Sequence, residues 1–119
     1  MDTKEFLDGI FAVNKRIDLI MAELKAIDET DKKYPFSKSV KSDLEKILTI
    51  SLNSLNDYRM KVFELLSSIP DPTARCVLEY RYIALLKFED IAKKLLYSTR
   101  QVLRYYNDGV NYISEQLKK

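Results

Sequence analysis

FEDIAKKLLYSTRQVLRYY, residues 88–106, reads as two short helices joined by a tight turn. In the first, Phe88, Ile91, Ala92 and Leu95 recur at i, i+3, i+4 and i+7, the spacing of one buried helical face. The break falls at Leu96-Tyr97. Ser98 is a favoured N-cap, and Gln101 three positions on completes the Ser-x-x-Gln capping box. Tyr97 before the cap and Val102 four positions into the helix form a hydrophobic staple that sets the angle of departure. Small Ala92 suits the crossing point, and Thr99, Arg100 and Arg104 lie on the free side. This is the helix-turn-helix pattern, in which the second helix enters a DNA groove.

Outward from this stretch the helical signal continues in both directions. Toward the C-terminus, Val102, Tyr105 or Tyr106, Gly109, Ile113 and Leu117 keep one stripe. Toward the N-terminus, a helix ending near Ile83 buries Ala74, Val77, Leu78 and Tyr82. It opens at Asp71 as N-cap with Pro72 in the first helical position, where the missing N–H costs nothing. Ile69-Pro70-Asp71-Pro72 is therefore a break and a domain boundary.

Before it, a long helix runs from Ser39 or Ser42, with Glu45 as capping partner, to Ser67. Val40, Leu44, Ile47, Leu55, Tyr58, Val62 and Leu65 share one face, widened by Leu48, Leu52 and Leu66. So broad a stripe implies more than one neighbour. Glu29–Ser39 is a polar break in which Pro35 forces Tyr34 out of helical geometry, and Tyr34 and Phe36 cap the end of the hairpin. The first helix spans Asp2 to about Asp28, with Asp2 and Glu5 as its cap. Ile10, Ile17 and Leu24 alternate with Phe6, Val13, Ile20 and Ile27 as an unbroken heptad seam. Gly9 inside it costs about 1 kcal/mol relative to Ala.

The fold class this implies is all-α. Residues 1–70 form a long, coiled-coil-like N-terminal helical hairpin that oligomerises, and residues 71–119 form a C-terminal helix-turn-helix domain. Only two Gly and three Pro in 119 residues leave too few turns for an all-β fold. The absence of His removes His-based acid–base chemistry and any His-bearing zinc site. One cysteine allows no intrachain disulfide, which fits the cytoplasm, and Cys76 beside Val77 and Leu78 reads as a buried, inert thiol. No Gly-rich phosphate loop occurs, so the chain is expected not to be an enzyme and to need no cofactor. No apolar run approaches a membrane span, and MDTKEF lacks the basic and apolar segments of a signal peptide. Lys and Arg number 11 against 12 Asp and Glu in residues 1–70, but 9 against 6 in residues 71–119. The C-terminal part is thus the side suited to a polyanion.

LEYRYIALLKFEDIAKKLLYSTRQVLRYY, residues 78–106, resembles region 4 of sigma-70 factors. The likeness rests on L-x-x-R-Y, then a bulky residue and an acidic pair before Ile-Ala, then Y-S-x-R-Q-V. It is most similar to the short phage and prophage regulators built on that region, the RinA/ArpU-type late transcription activators, and covers roughly residues 38–117. The resemblance implies a sequence-specific regulator acting on double-stranded DNA in a bacterial cytoplasm, in some cases through RNA polymerase. It implies that residues 99–106 form the recognition helix in the major groove, capped by Ser98. Thr99, Arg100, Leu103 and Arg104 would then face outward, with Val102 and Tyr105 inward. It implies that Arg81 pairs with Glu89 or Asp90. Leu85 and Leu96 stand where glycine is common in this family, and a non-glycine residue in a left-handed turn costs about 1–2 kcal/mol.

Arg100 and Arg104 lie one turn apart, so both can meet one groove and bond guanine O6 and N7. Thr99 and Gln101 near the helix N-terminus suit phosphate contact, with Gln101 shared with the capping box. Leu103 suits a thymine methyl or a protein surface, and Lys93 and Lys94 suit phosphate anchoring. For the tyrosines, helical spacing favours core or interface packing over base stacking. One unit with so few basic residues binds weakly. Two such units about 34 Å apart on successive duplex turns bind better, so a dimer through residues 1–70 is expected. Two other readings fit the same residues: a module that contacts RNA polymerase or another regulator, and a DNA-packaging protein like a small terminase subunit.

Overall fold

The computed structural model describes residues 2–119, and these form five α-helices with no strand among the described residues. They are α1 (Thr3–Lys33), α2 (Lys38–Ser67), α3 (Pro72–Tyr82), α4 (Phe88–Leu95) and α5 (Thr99–Leu117). Two compact units result. One holds the chain up to Phe11 together with Met60–Lys119, and the other holds Ala12–Arg59. The units part inside α1 and α2, whereas the Pro70–Pro72 break lies within the first. Packing explains this, because Val62, Leu66 and Ile69 before the break are as fully buried as Ala74, Val77 and Leu78 after it.

In the first unit, side-chain caps set the starts of α1, α3 and α5, while α4 opens at Lys87 without one. Asp2 Oδ1 accepts from the Glu5 amide at 2.8 Å, and Asp71 Oδ2 from the Ala74 amide at 3.3 Å, with Pro72 opening α3. Ser98 and Gln101 make both halves of the capping box. The two tight turns pass through the left-handed region at Leu85 (φ 61°) and Leu96 (φ 59°). α3 and α5 approach closely at Gly109, where a Cβ would lie 2.6 Å from Leu78 Cδ1. Leu7, which lies off the heptad seam, and Ile10 of α1 are completely buried here.

Three side chains in this unit depart from expectation. The Arg81 guanidinium lies between the Phe11 and Phe88 rings, 4.8 and 4.5 Å from their centroids, and Nη1 donates to the Leu86 carbonyl at 3.0 Å. It makes no ion pair with Glu89 or Asp90, which are exposed in the first turn of α4, where the helix dipole favours carboxylates. Tyr97 stacks on Tyr105, with centroids 5.7 Å apart, so Tyr105 is half-exposed and the inward ring is Tyr106. Cys76 is half-exposed; desolvation and the nearby Glu79 raise its pKa and keep it a thiol.

In the second unit, α1 does not end near Asp28 but continues to Lys33. Nothing in Glu29–Lys33 breaks a helix, and Lys32 and Lys33 suit its C-terminal dipole; Pro35 ends it. α2 starts at Lys38, capped by Ser37 (Oγ to the Val40 amide, 3.4 Å) rather than by Ser39 or Ser42. Phe36 is tucked in, its amide donating to Asp31 Oδ1 at 2.9 Å, while Tyr34 is exposed and caps nothing. Lys41 bridges Asp28 (3.2 Å) and Asp31 (3.1 Å), and Arg59 donates to Asn14 (3.4 Å) and Asn56 (2.9 Å). The core is thin. Ile17 and Ile20 are its buried apolar residues, and Val40, Leu44 and Ile47, expected on the packed face of α2, remain exposed.

Candidate nucleic-acid interface

The first two turns of α5 are fixed at their start and from behind. At the start, the Ser98 amide donates to Gln101 Oε1 at 2.9 Å, and the Gln101 amide donates to Ser98 Oγ at 3.1 Å. A cap of this kind contributes about 1 kcal/mol, and it occupies Gln101, which is half-buried. Behind, Val102, Tyr106, Gly109 and Ile113 are buried, and the Tyr106 ring meets Phe88 edge-on with centroids 5.0 Å apart. These positions lie about half a turn away from Arg100 and Arg104, so packing leaves α5 no freedom to rotate them inward.

Thr99, Arg100, Leu103 and Arg104 are all exposed. Among the described residues neither guanidinium has a hydrogen bond or an ion pair. Each keeps five N–H donors for an external acceptor. Arg100, Leu103 and Arg104 line a shallow open depression of about 550 Å³ together with Asn107 and Asp108. Asn107, at i+7 from Arg100, belongs to the same face, although the sequence reading stopped at Arg104. Helical spacing was the signal that could have found it. Lys93 and Lys94 are exposed at the end of α4 without ion pairs among the described residues, ahead of the turn that carries Leu96, whose side chain is 90% exposed. Arg81, held between two aromatic rings, adds no free charge to this surface.

The arrangement offers charge and hydrogen-bond donors on the exposed face of a helix. Among the described residues no three of Cys, Asp and Glu gather where they could hold a metal ion. No described helix is long and apolar enough to cross a membrane. Comparison with models of known protein families, with curated proteins and with solved structures finds no match to this chain.

Proposed function

We propose that this chain is a sequence-specific double-stranded DNA-binding transcriptional regulator of phage or prophage type. On this reading α4 and α5 are a sigma-70 region 4-like helix-turn-helix, and α5 from Thr99 to Tyr106 lies in the major groove. The observation that carries it is the pair of unpartnered guanidiniums, Arg100 and Arg104, one turn apart on a helix whose opposite face is locked in a core. Each can bond a guanine edge bidentately, a contact worth about 1–3 kcal/mol of discrimination. Thr99, Lys93 and Lys94 supply phosphate contacts that set the register without reading sequence, and Leu103 meets a thymine methyl. Gln101 serves the groove through the cap it completes. The functional unit is a dimer formed through the N-terminal helical hairpin, which doubles the phosphate contacts available to one recognition helix.

Binding to a library of duplexes, followed by anisotropy on the selected sequence, tests this. Arg100→Ala with Arg104→Ala should remove selection and weaken binding, while the helical circular-dichroism signal stays unchanged. Binding of the intact protein should fall with salt at a log–log slope of about −4 to −5, corresponding to roughly four to six neutralised phosphates. No selected sequence, or a flat salt response, would defeat the reading. Exposed Leu96 and Leu103 support a second reading, in which the same surface docks on RNA polymerase or another regulator. Partner binding that survives the double arginine substitution would favour it.

A further inference from the structure

One exposed side of α2 carries a second seam, whose Ile47 also borders the groove lined by Glu23, Ala26 and Ile27 of α1. Val40, Asp43, Ile47, Ile50, Ser54, Asp57 and Lys61 alternate three and four residues apart, the spacing that keeps one stripe facing a partner helix. All seven are exposed, with Ile47 and Ile50 at 62% and 61% among the most exposed large apolar side chains of the chain. The residues that α2 half-buries or buries, such as Leu48, Leu55, Val62 and Leu66, lie on a different face. Two half-helices with Ile17 and Ile20 as their buried apolar core leave this seam in water, a situation that a further helix relieves.

The charges along the seam say which helix. Asp43, Asp57 and Lys61 on the seam and Lys46 at its edge are exposed, and none makes an ion pair among the described residues. Reflected about Leu52, the order acid, base, acid, base maps onto its own complement. Asp43 comes opposite Lys61, and Lys46 comes beside Asp57. Ile50 comes opposite Ser54, a large side chain against a small one. A self-complementary patch of this kind is what a two-fold interface requires, because each residue then meets its partner twice.

We infer that a second copy of this chain docks on α2, antiparallel to it, with the two-fold axis beside Leu52. Ile47, Ile50 and Ser54 form the centre, and the Asp43–Lys61 and Lys46–Asp57 pairs close its ends across the two copies. This deepens the dimer of the proposed function by naming its surface and register, and it rests on that dimer alone, not on what α5 contacts.

Analytical ultracentrifugation of the full chain tests it. Lys46→Glu or Asp57→Lys alone sets like charges together twice across the axis and should weaken dimerisation about tenfold. Lys46→Glu combined with Asp57→Lys restores opposite charges and should return the dimer to about its original affinity. Ile50→Lys should leave a monomer with an unchanged circular-dichroism spectrum. A native chain that stays monomeric, single reversals that leave the association constant unchanged, or a double variant no better than its parents would each overturn the inference. A dimer that behaves as described but retains no duplex DNA would sink the DNA reading and leave this one standing.

Discussion

Tyr82 donates a 2.7 Å hydrogen bond from its hydroxyl to Asp8 Oδ1, joining residues 74 apart in sequence. Its single proton is thereby committed, so the Tyr106 hydroxyl 2.5 Å away is the donor to the Tyr82 oxygen. The chain Tyr106, Tyr82, Asp8 ties α5 and α3 to the start of α1, and the Phe11–Arg81–Phe88 stack does the same by aromatic contact. Tyr82→Phe keeps the ring, which is fully buried, and removes the shared oxygen. Stability should drop by about 1–3 kcal/mol, the cost of leaving buried polar groups without a partner, as read from urea unfolding at neutral pH.

The same phenols set an alkaline limit. Burial first, and then the bond that Tyr82 donates to Asp8, push the Tyr82 pKa far above its usual value of 10.0, and burial also raises that of Tyr106. In the unfolded chain both ionise near pH 10. Above that pH the native state holds more protons than the unfolded one, so stability falls as pH rises and is fully present below it. Urea midpoints measured across this range should decline in the native protein and decline less steeply in Tyr82→Phe.

Leu96 holds a left-handed backbone with its side chain almost wholly in solvent. Replacing it by glycine relieves about 1–2 kcal/mol of strain and returns part of that as unfolded-chain entropy. Leu96→Gly should therefore raise thermal stability by about 0.5–1 kcal/mol. An equal or lower melting temperature would mean that the leucine side chain makes a contact worth the strain. Leu85, less exposed, should gain less from the same change.

Gly109 makes the opposite case. Alanine is the better helix former by about 1 kcal/mol, but its Cβ would meet Leu78 Cδ1 at 2.6 Å and Cδ2 at 3.3 Å, with Ile69 Cδ1 at 3.5 Å. Leu78 is fully buried, so its methyl groups must shift within the core to admit the new atom. Gly109→Ala should destabilise by about 1–3 kcal/mol in net terms, the usual cost of overpacking, measurable by calorimetry.

Much of this architecture is readable without a structure because its signals are local. Five helices follow from apolar spacing and a shortage of glycine and proline. The starts of α3 and α5 follow from Asp71-Pro72 and from Ser98 with Gln101, whose bonds span three residues. The left-handed turns follow from where glycine is missing. For the candidate interface, the outward places of Thr99, Arg100 and Arg104 follow from the 3.6-residue period once Val102 is placed inside, and that of Leu103 from the resemblance to sigma-70 region 4.

Arrangement among distant residues was settled by the folded chain. Arg81 lies between two rings because Phe11, seventy positions earlier in the sequence, arrives beside Phe88, and a flat guanidinium gains more there than from carboxylates that water already solvates. Tyr106 rather than Tyr105 turns inward because Tyr82 and Phe88 await it. The compact units part within α1 and α2, because Leu7, Ile10, Val62 and Leu66 find their apolar partners at the C-terminal end. Periodicity tells which face of a helix is apolar, but it carries no information about what that face meets. Only the packing of the whole chain supplies the partner.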